Sequence, residues 1–192
     1  MKIRLRRWYL DQAAAWCVLF RRRDVALDFY RRMLELDPED TLALASMGFQ
    51  YAQLGRKRDA LVMFERVAAL KPDDAEAHFD RGFLLQEFGD HEAAMAAFRR
   101  ALEANPDHDR AHYGLALSLI SQRRLEEAVA PLKRNTKLQP MSPYGWYQLA
   151  RVQHDLGRVA ETQKILDHLA TFEPNVARQL ARETGLRTEV LS

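Results

Sequence analysis

The chain of 192 residues contains a single cysteine, Cys17, so no disulfide can form within it. A lone thiol is compatible with a reducing cytosol. Glycine and proline are also scarce, with 8 and 7 residues, and the formal net charge is only +2. A collagen-like chain would need a glycine repeat, and a disordered chain would need high net charge with few large apolar residues. The composition therefore indicates an ordinary folded protein.

Long apolar runs are absent as well. A membrane-spanning helix needs roughly 20 consecutive apolar residues, and the nearest candidate, residues 8–20, is interrupted by Asp11 and Gln12. This segment also lacks the clean apolar core and the small-residue cleavage site of a signal peptide. We expect a cytoplasmic protein. Because arginines flank the segment on both sides, peripheral membrane association is the alternative.

The few prolines are spaced with a fixed period. Five of them follow one another at intervals of 34 residues: Pro38, Pro72, Pro106, Pro140 and Pro174. A period between 20 and 50 residues is the sequence signature of a repeat protein. It divides the chain into a lead-in at 1–6, one domain at 7–176, and a capping helix with a tail at 177–192. The predicted repeats of the domain are residues 7–40, 41–74, 75–108, 109–142 and 143–176.

Further positions recur with the same period. The second repeat carries Leu44, Met47, Gly48, Tyr51, Ala60, Phe64 and Pro72. The third repeat carries His78, Arg81, Gly82, Leu85, Ala94, Phe98 and Pro106. This pattern resembles the tetratricopeptide repeat (TPR) family, in which a bulky residue, Leu-Gly, an aromatic residue, alanine, phenylalanine and proline follow in this order. The resemblance extends over all five predicted repeats.

The resemblance implies an all-α fold, a right-handed α-solenoid (superhelix) of helix-turn-helix repeats with a C-terminal capping helix. Independently, apolar residues spaced by three and four within each repeat predict two amphipathic helices. Gly55, Gly89 and Gly157 recur between the two helices, where a residue in the left-handed conformation ends the first one. The residues and the resemblance therefore agree on the architecture.

Local signals predict where single helices begin, bend and end. Asp40, Asp74 and Ser142 are N-cap residue types that stand just before the first helices of their repeats. Pro131 falls inside a predicted second helix, which we expect it to bend. We place the capping helix at 177–184 and expect the residues after Leu186 to fray.

A ligand of such a solenoid is expected on its concave face, which the first helices of the repeats line. A contiguous apolar stripe on an exposed surface typically marks a binding site. For any one ring, Phe79 among them, packing between repeats is the alternative role. The predicted partner-binding residues are Trp8, Leu42, Phe49, Phe79, Phe83, Arg110, Tyr113, Leu117, Tyr144, Tyr147 and Arg151.

One known TPR activity can be compared with these residues. Members that hold the C-terminal carboxylate of heat-shock chaperones use lysine, arginine and asparagine side chains in the groove. The corresponding positions of the first three repeats here are apolar or acidic, as Phe49, Glu76 and Asp80 illustrate. The lining therefore argues against a carboxylate clamp, although Arg110 and Arg151 could meet an acidic group in the C-terminal half.

Nothing in the sequence predicts an enzyme. His108 and His112 have the spacing that could place two imidazoles on one helix face, but no third ligand type accompanies them, so we interpret both as structural. Phosphate-binding loops, nucleophile elbows and carboxylate pairs in a recognisable context are missing. Cys17 falls in a packing position and is expected to be buried. We therefore predict no catalytic residue, no metal and no cofactor.

Charge is unevenly distributed along the chain. Residues 1–34 carry nine basic and three acidic side chains, and the remainder carries 20 and 24. Together with Trp8 and Trp16 this basic end could touch an anionic membrane or nucleic acid. We favour a solvated helix end, because specific nucleic-acid binding needs a longer basic face.

The sequence as a whole favours a non-enzymatic adaptor or scaffold that binds a protein or peptide through apolar and aromatic anchors. One alternative is a self-associating scaffold, that is, a homo-oligomer. The other is peripheral contact with a membrane or nucleic acid through the basic first repeat.

Overall fold

The computed structural model describes residues 2–187. Within that range the chain forms α-helices and no β-strand. The helices are α1 (Lys2–Leu19), α2 (Arg23–Leu36), α3 (Thr41–Gln53), α4 (Lys57–Leu70), α5 (Ala75–Glu87), α6 (His91–Ala104), α7 (Asp109–Ser121), α8 (Leu125–Leu138), α9 (Pro143–Asp155), α10 (Val159–Phe172) and α11 (Pro174–Thr184). None of those helices combines the length and the apolar character that a membrane span would require.

The helices stack in chain order. Each packs mainly on its sequence neighbours, so that the odd-numbered helices from α1 to α9 form one layer and the even-numbered helices the other. From α3 onward the first helices begin at intervals of 34 residues, and the second helices do so from α2 onward. The prediction of an all-α right-handed solenoid with a C-terminal capping helix is confirmed.

The turns inside the repeats share one backbone conformation. Gly55, Gly89 and Gly157 have φ values of 75°, 80° and 73°, as their position between the helices predicted. The equivalent residues of the first and fourth repeats are Arg21 and Arg123, with φ values of 58° and 59°. The turn therefore keeps its left-handed geometry even where a side chain opposes it.

The three predicted N-cap residues all occupy N-cap positions, and two of them make a side-chain capping hydrogen bond. The carboxylates of Asp40 and Asp74 accept hydrogen bonds from the backbone N–H groups three residues later, at 3.2 and 3.1 Å. Ser142 does occupy the N-cap position of α9, but its hydroxyl makes no capping hydrogen bond. Pro143 at the first position supplies the helical φ and has no N–H to satisfy.

The core runs through the interface between the two layers. Its largest cluster extends from α5 to α11, and two smaller clusters lie among α1–α5. Phe98 of α6 is fully buried between two glycines. A Cβ atom on Gly82 would lie 2.9 Å from the Phe98 ring, and one on Gly114 would lie 2.5 Å from it. Only glycine lets α5 and α7 approach this ring so closely.

In each of three repeats, one side-chain hydrogen bond holds the start of the first helix to the turn before it. His78, His112 and Trp146 occupy equivalent positions, and the ring nitrogen of each lies 2.8–2.9 Å from the backbone oxygen of the proline six residues earlier. A backbone carbonyl oxygen can only accept, so the indole N–H and both imidazole Nε2 atoms donate to it. His78 and His112 therefore have a structural role, because each holds the start of its helix to the preceding turn.

Helix ends in the C-terminal half differ in detail from the prediction. Helix α8 runs unbroken through the buried Pro131, and the bend there stays a prediction. The capping helix α11 begins at Pro174, three residues earlier than expected, because proline suits the first helical turn. Gly185 ends it with a φ of 71°. The tail that was predicted to fray lies outside the described residues from 188 onward.

Candidate functional site

The concave face holds a cavity of about 630 Å³, which we call the central cavity. It lies between α5 and α7, and the tip of α8 and the start of α9 close it on one side. Apolar surface dominates its lining. Six predicted residues meet there: Phe79, Phe83, Arg110, Tyr113, Leu117 and Tyr144. The structure therefore brings together more than half of the predicted partner-binding residues.

The exposure of these six residues is uneven. Phe83 and Tyr144 are 47% and 70% exposed, and they form the open rim of the cavity. Tyr113 and Leu117 are half-buried in its wall. Phe79 is only 8% exposed, so the packing role that was the alternative for this ring is the one the structure gives it.

A layered cluster covers Phe79. The Arg110 guanidinium lies 4.5 Å from the centre of the Phe79 ring, and the His108 ring stacks at 5.0 Å. The same guanidinium donates hydrogen bonds to both carboxylate oxygens of Glu76, at 3.0 and 2.7 Å. His108 also caps α7, where its Nδ1 accepts from the backbone N–H of Ala111. The Arg110 charge is therefore already paired with Glu76 at the protein surface.

The far side of the cavity has a polar floor. The Asn135 amide donates to the backbone oxygen of Asp109, and the Gln139 amide donates to the Asp109 carboxylate, each at 3.0 Å. Asn135 is buried at a position where the third repeat has Ala101. Gly145 makes room for it, since a Cβ there would lie 2.1 Å from the Asn135 oxygen.

Gln86 connects the two walls of the cavity. Its amide donates to the backbone oxygen of Gly114 at 3.0 Å and to the hydroxyl of Ser118 at 2.8 Å. Both acceptors belong to α7, so this side chain joins α5 to α7 below the rim. The wall is thereby fixed before any ligand arrives.

A second cavity of about 440 Å³ continues the groove toward the capping helix. Tyr113 and Tyr144 line both cavities, and Tyr147 belongs to the second one alone. The Tyr147 hydroxyl donates to the Glu183 carboxylate of α11 at 2.7–2.8 Å. Burial raises the pKa of Tyr113, and a hydrogen bond with Gln148 opposes that shift. Tyr113 is therefore a neutral phenol at physiological pH.

Four predicted residues lie outside both cavities. Trp8 and Leu42 are exposed on α1 and α3, and Phe49 is half covered by the edge of the Phe64 ring at 5.3 Å. The Arg151 guanidinium lies over Tyr147 and 3.9 Å from Glu183. Like Arg110, it already has a carboxylate beside it.

Asp80 is a half-buried carboxylate on α5 with no hydrogen-bond or ion-pair partner among residues 2–187. Burial raises its pKa to about 7, the nearby charges of Glu76 and Asp74 add to the effect, and Arg110 opposes it. The carboxyl group is thus close to half protonated at neutral pH.

The residues considered for metal or thiol chemistry have other surroundings. The described part of the chain contains no group of three or more metal-ligating side chains. His108 and His112 make the structural contacts given above. Cys17 was expected to be buried, but it is only half-buried at the edge of the first-repeat core.

Several cavity residues were missed by sequence reasoning. Phe98, Asn135, Gln139 and Ser142 come from second helices and from the turn before α9. The prediction considered only first helices. A usable signal was present at Asn135, a polar residue at a position that the second and third repeats fill with valine and alanine.

The chain is similar in sequence to known repeat proteins over its middle part. Two family models described as tetratricopeptide repeat match it, one over residues 50–95 and the other over residues 85–147. No curated protein matches the sequence.

The structure is similar to solved structures over nearly its whole length. MamA has a TM-score of 0.81 at 19% identity, with 95% of this chain and 97% of the MamA chain covered. PilF of Pseudomonas aeruginosa has a TM-score of 0.77 at 16% identity, with 96% and 87% covered. YrrB, described as a TPR protein with an unusual peptide-binding site, has a TM-score of 0.76 at 20% identity, with 88% of each chain covered. At these identities the likeness concerns the fold.

Proposed function

Because the chain belongs to the tetratricopeptide repeat family, we propose that it is a non-enzymatic adaptor that holds a peptide or helix of a partner protein in the central cavity. The TPR fold in general serves protein–protein interaction. The finer proposal concerns where the partner binds and which side chains anchor it.

One observation carries the proposal: four of the seven predicted aromatic residues, Phe79, Phe83, Tyr113 and Tyr144, line a single apolar cavity. Its volume of about 630 Å³ lies within the range of roughly 300–1,000 Å³ that is typical of ligand sites. Phe83 and Tyr144 are exposed at the rim, where a partner could cover them. Each covered aromatic side chain would contribute about 1.5–3 kcal/mol to binding.

The charges around the cavity support an apolar anchor over an acidic one. Arg110 is paired with Glu76, and Arg151 lies beside Glu183. A partner carboxylate would have to displace one of these neighbours, which offsets much of the gain. The related fold of YrrB, whose description names a peptide-binding site, is compatible with a peptide ligand.

The experiment begins with identifying the bound segment. The chain is used to capture partners from the lysate of its own source, and crosslinking with mass spectrometry locates the contacting segment. The corresponding peptide is then synthesised. Its affinity is measured for the wild type, for a groove variant with Phe83→Ala and Tyr144→Ala, and for the control Phe88→Ala.

We expect the groove variant to bind the peptide at least about a hundredfold more weakly, since it loses two aromatic anchors. Phe88 is a matched control, because it is 44% exposed at the end of α5 and lines neither cavity. Equal affinity of the groove variant and the wild type, with both equally helical, would refute the central cavity as the binding site.

A further inference from the structure

The outer face of α1 corresponds to the face that the first helix of every later repeat buries against the preceding repeat. Tyr9 is equivalent to Ala43, Ala77, Ala111 and Gly145, which are all buried against the preceding repeat. Trp16 is equivalent to Gln50, Leu84, Ser118 and Val152, of which none is more than 8% exposed. In the first repeat the same two positions carry aromatic rings that are 63% and 60% exposed. Among the described residues nothing covers them.

These rings belong to a continuous apolar arc of the helix, which we call the α1 arc. At 100° per residue, its members fall within about 120° of the helix circumference. Among residues 3–20, Gln12 is the single amide side chain within that span, and no charged side chain falls there. The rings of Trp16 and Phe20 stack on each other at 6.0 Å. The α1 arc comprises Leu5, Trp8, Tyr9, Trp16, Leu19 and Phe20, all at least 59% exposed.

The shape of the α1 arc does not allow one more repeat to pack closely on it. Stacking of repeats in this protein uses alanine or glycine at the position of Tyr9, because the neighbouring helix approaches closely there. A phenol ring in that position would hold the next helix away. The surface therefore suits a partner that adapts to protruding rings.

Arginines border the arc. Arg4 and Arg6 lie on its two flanks by helical position, and both are exposed. Arg21, Arg22 and Arg23 follow its C-terminal end. Residues 1–34 carry nine basic and three acidic side chains, a net charge of +6. Pairing two copies through this face would bring two such ends together, and the repulsion disfavours a second copy as the occupant.

Exposed tryptophan, tyrosine and leucine side chains bordered by arginine are typical of helices that lie at the surface of a bilayer. The rings enter the boundary between headgroups and acyl chains, while the arginines meet anionic headgroups. We propose that the α1 arc docks the protein onto an anionic lipid bilayer as a peripheral contact. The central cavity lies in the third to fifth repeats, so the contact leaves it open.

The test measures partitioning of the whole chain onto lipid vesicles. Vesicles of phosphatidylglycerol mixed with phosphatidylcholine are compared with vesicles of phosphatidylcholine alone, by co-sedimentation. The blue shift of tryptophan emission is recorded in parallel, because two of the three tryptophans, Trp8 and Trp16, belong to the α1 arc. Circular dichroism verifies that each variant stays as helical as the wild type.

Two variants and one control distinguish the contributions. Trp16→Ser with Phe20→Ser removes apolar surface, and Arg4→Ser with Arg6→Ser removes charge. All four side chains are exposed, so their replacement leaves the core intact. The control replaces two exposed apolar residues outside the arc, by Phe88→Ser with Leu70→Ser.

We expect the wild type to partition onto anionic vesicles at least tenfold more strongly than onto neutral ones. Each of the two variants should lower that partitioning at least tenfold, and the control should leave it unchanged. Absent binding of the wild type, or equal partitioning of the wild type and the Trp16→Ser, Phe20→Ser variant, would overturn the proposal. So would a dimer in sedimentation equilibrium that forms without vesicle binding and dissociates in that variant, because a second copy would then occupy the arc.

Discussion

At the scale of single residues, the half-buried Asp80 makes the stability of the protein depend on pH. Its pKa of about 7 lies above the value near 3.8 that the unfolded chain gives it. Between these two values the folded state holds a proton that the unfolded state has lost, so the free energy of unfolding falls as the pH rises from 4 to 7. The contribution is lost as the pH rises through this folded-state pKa of about 7.

We therefore expect Asp80→Asn to remove most of this slope. At pH 8 the variant should be more stable than the wild type by on the order of 3 kcal/mol, since each pKa unit corresponds to about 1.4 kcal/mol and the partial exposure of Asp80 reduces the full effect of the shift. The difference should close toward pH 4. Urea denaturation at several pH values measures it, with Asp73→Asn as a control for the loss of one exposed carboxylate. A pH-independent difference between Asp80→Asn and the wild type would contradict the assignment.

At the scale of structural elements, the turn between the two helices of a repeat requires a left-handed residue in all five repeats. Three repeats have glycine at this position, and the fourth repeat has Arg123 with a φ of 59°. A residue with a Cβ in the left-handed region costs about 1–2 kcal/mol, and the greater entropy of unfolded glycine offsets part of that. Arg123→Gly should thus raise the free energy of unfolding by about 0.5–1 kcal/mol.

The reverse change supplies the control. Gly89→Arg introduces the same side chain into the same turn one repeat earlier, where a Cβ has open space around it. It should lower stability by a similar amount, because only the backbone conformation opposes it. Chemical denaturation of both variants measures the pair. If Arg123→Gly proved destabilising, the side chain of Arg123 would have to make a stabilising contact that outweighs its backbone cost.

At the scale of the whole molecule, the architecture follows from the sequence because it depends on spacing. The 34-residue period, the turn glycines and the apolar positions recur often enough to specify every helix pair. The site was less predictable, because it depends on packing between repeats. Phe79 is covered by Arg110 and His108, which lie where the third repeat meets the fourth. The polar floor of the central cavity includes Asn135, which belongs to a second helix. The exposure of Tyr9 and Trp16 becomes meaningful only when their equivalents in later repeats are seen to be covered.

The division of the core predicts unequal local stability. One large cluster joins α5 to α11, while smaller clusters hold α1–α5, and among the described residues α1 has no neighbour on its outer face. In a stacked array each repeat is stabilised by its immediate neighbours. Native-state hydrogen exchange should show backbone amides of α1 and α2 exchanging at least about tenfold faster than those of α7–α9. Equal protection along the chain would indicate a single cooperative unit.

The stacking of each helix mainly on its sequence neighbours also bears on how the chain is made. Contacts of short sequence separation form quickly and need no distant segment to be present. The first two repeats can pack Leu27 and Met33 against each other's helices while the later repeats are still being translated. We expect folding on the ribosome to proceed from the N-terminus, repeat by repeat. The apolar arc of α1 would then leave the exit tunnel ahead of the later repeats and meet its surroundings while those repeats are still being made.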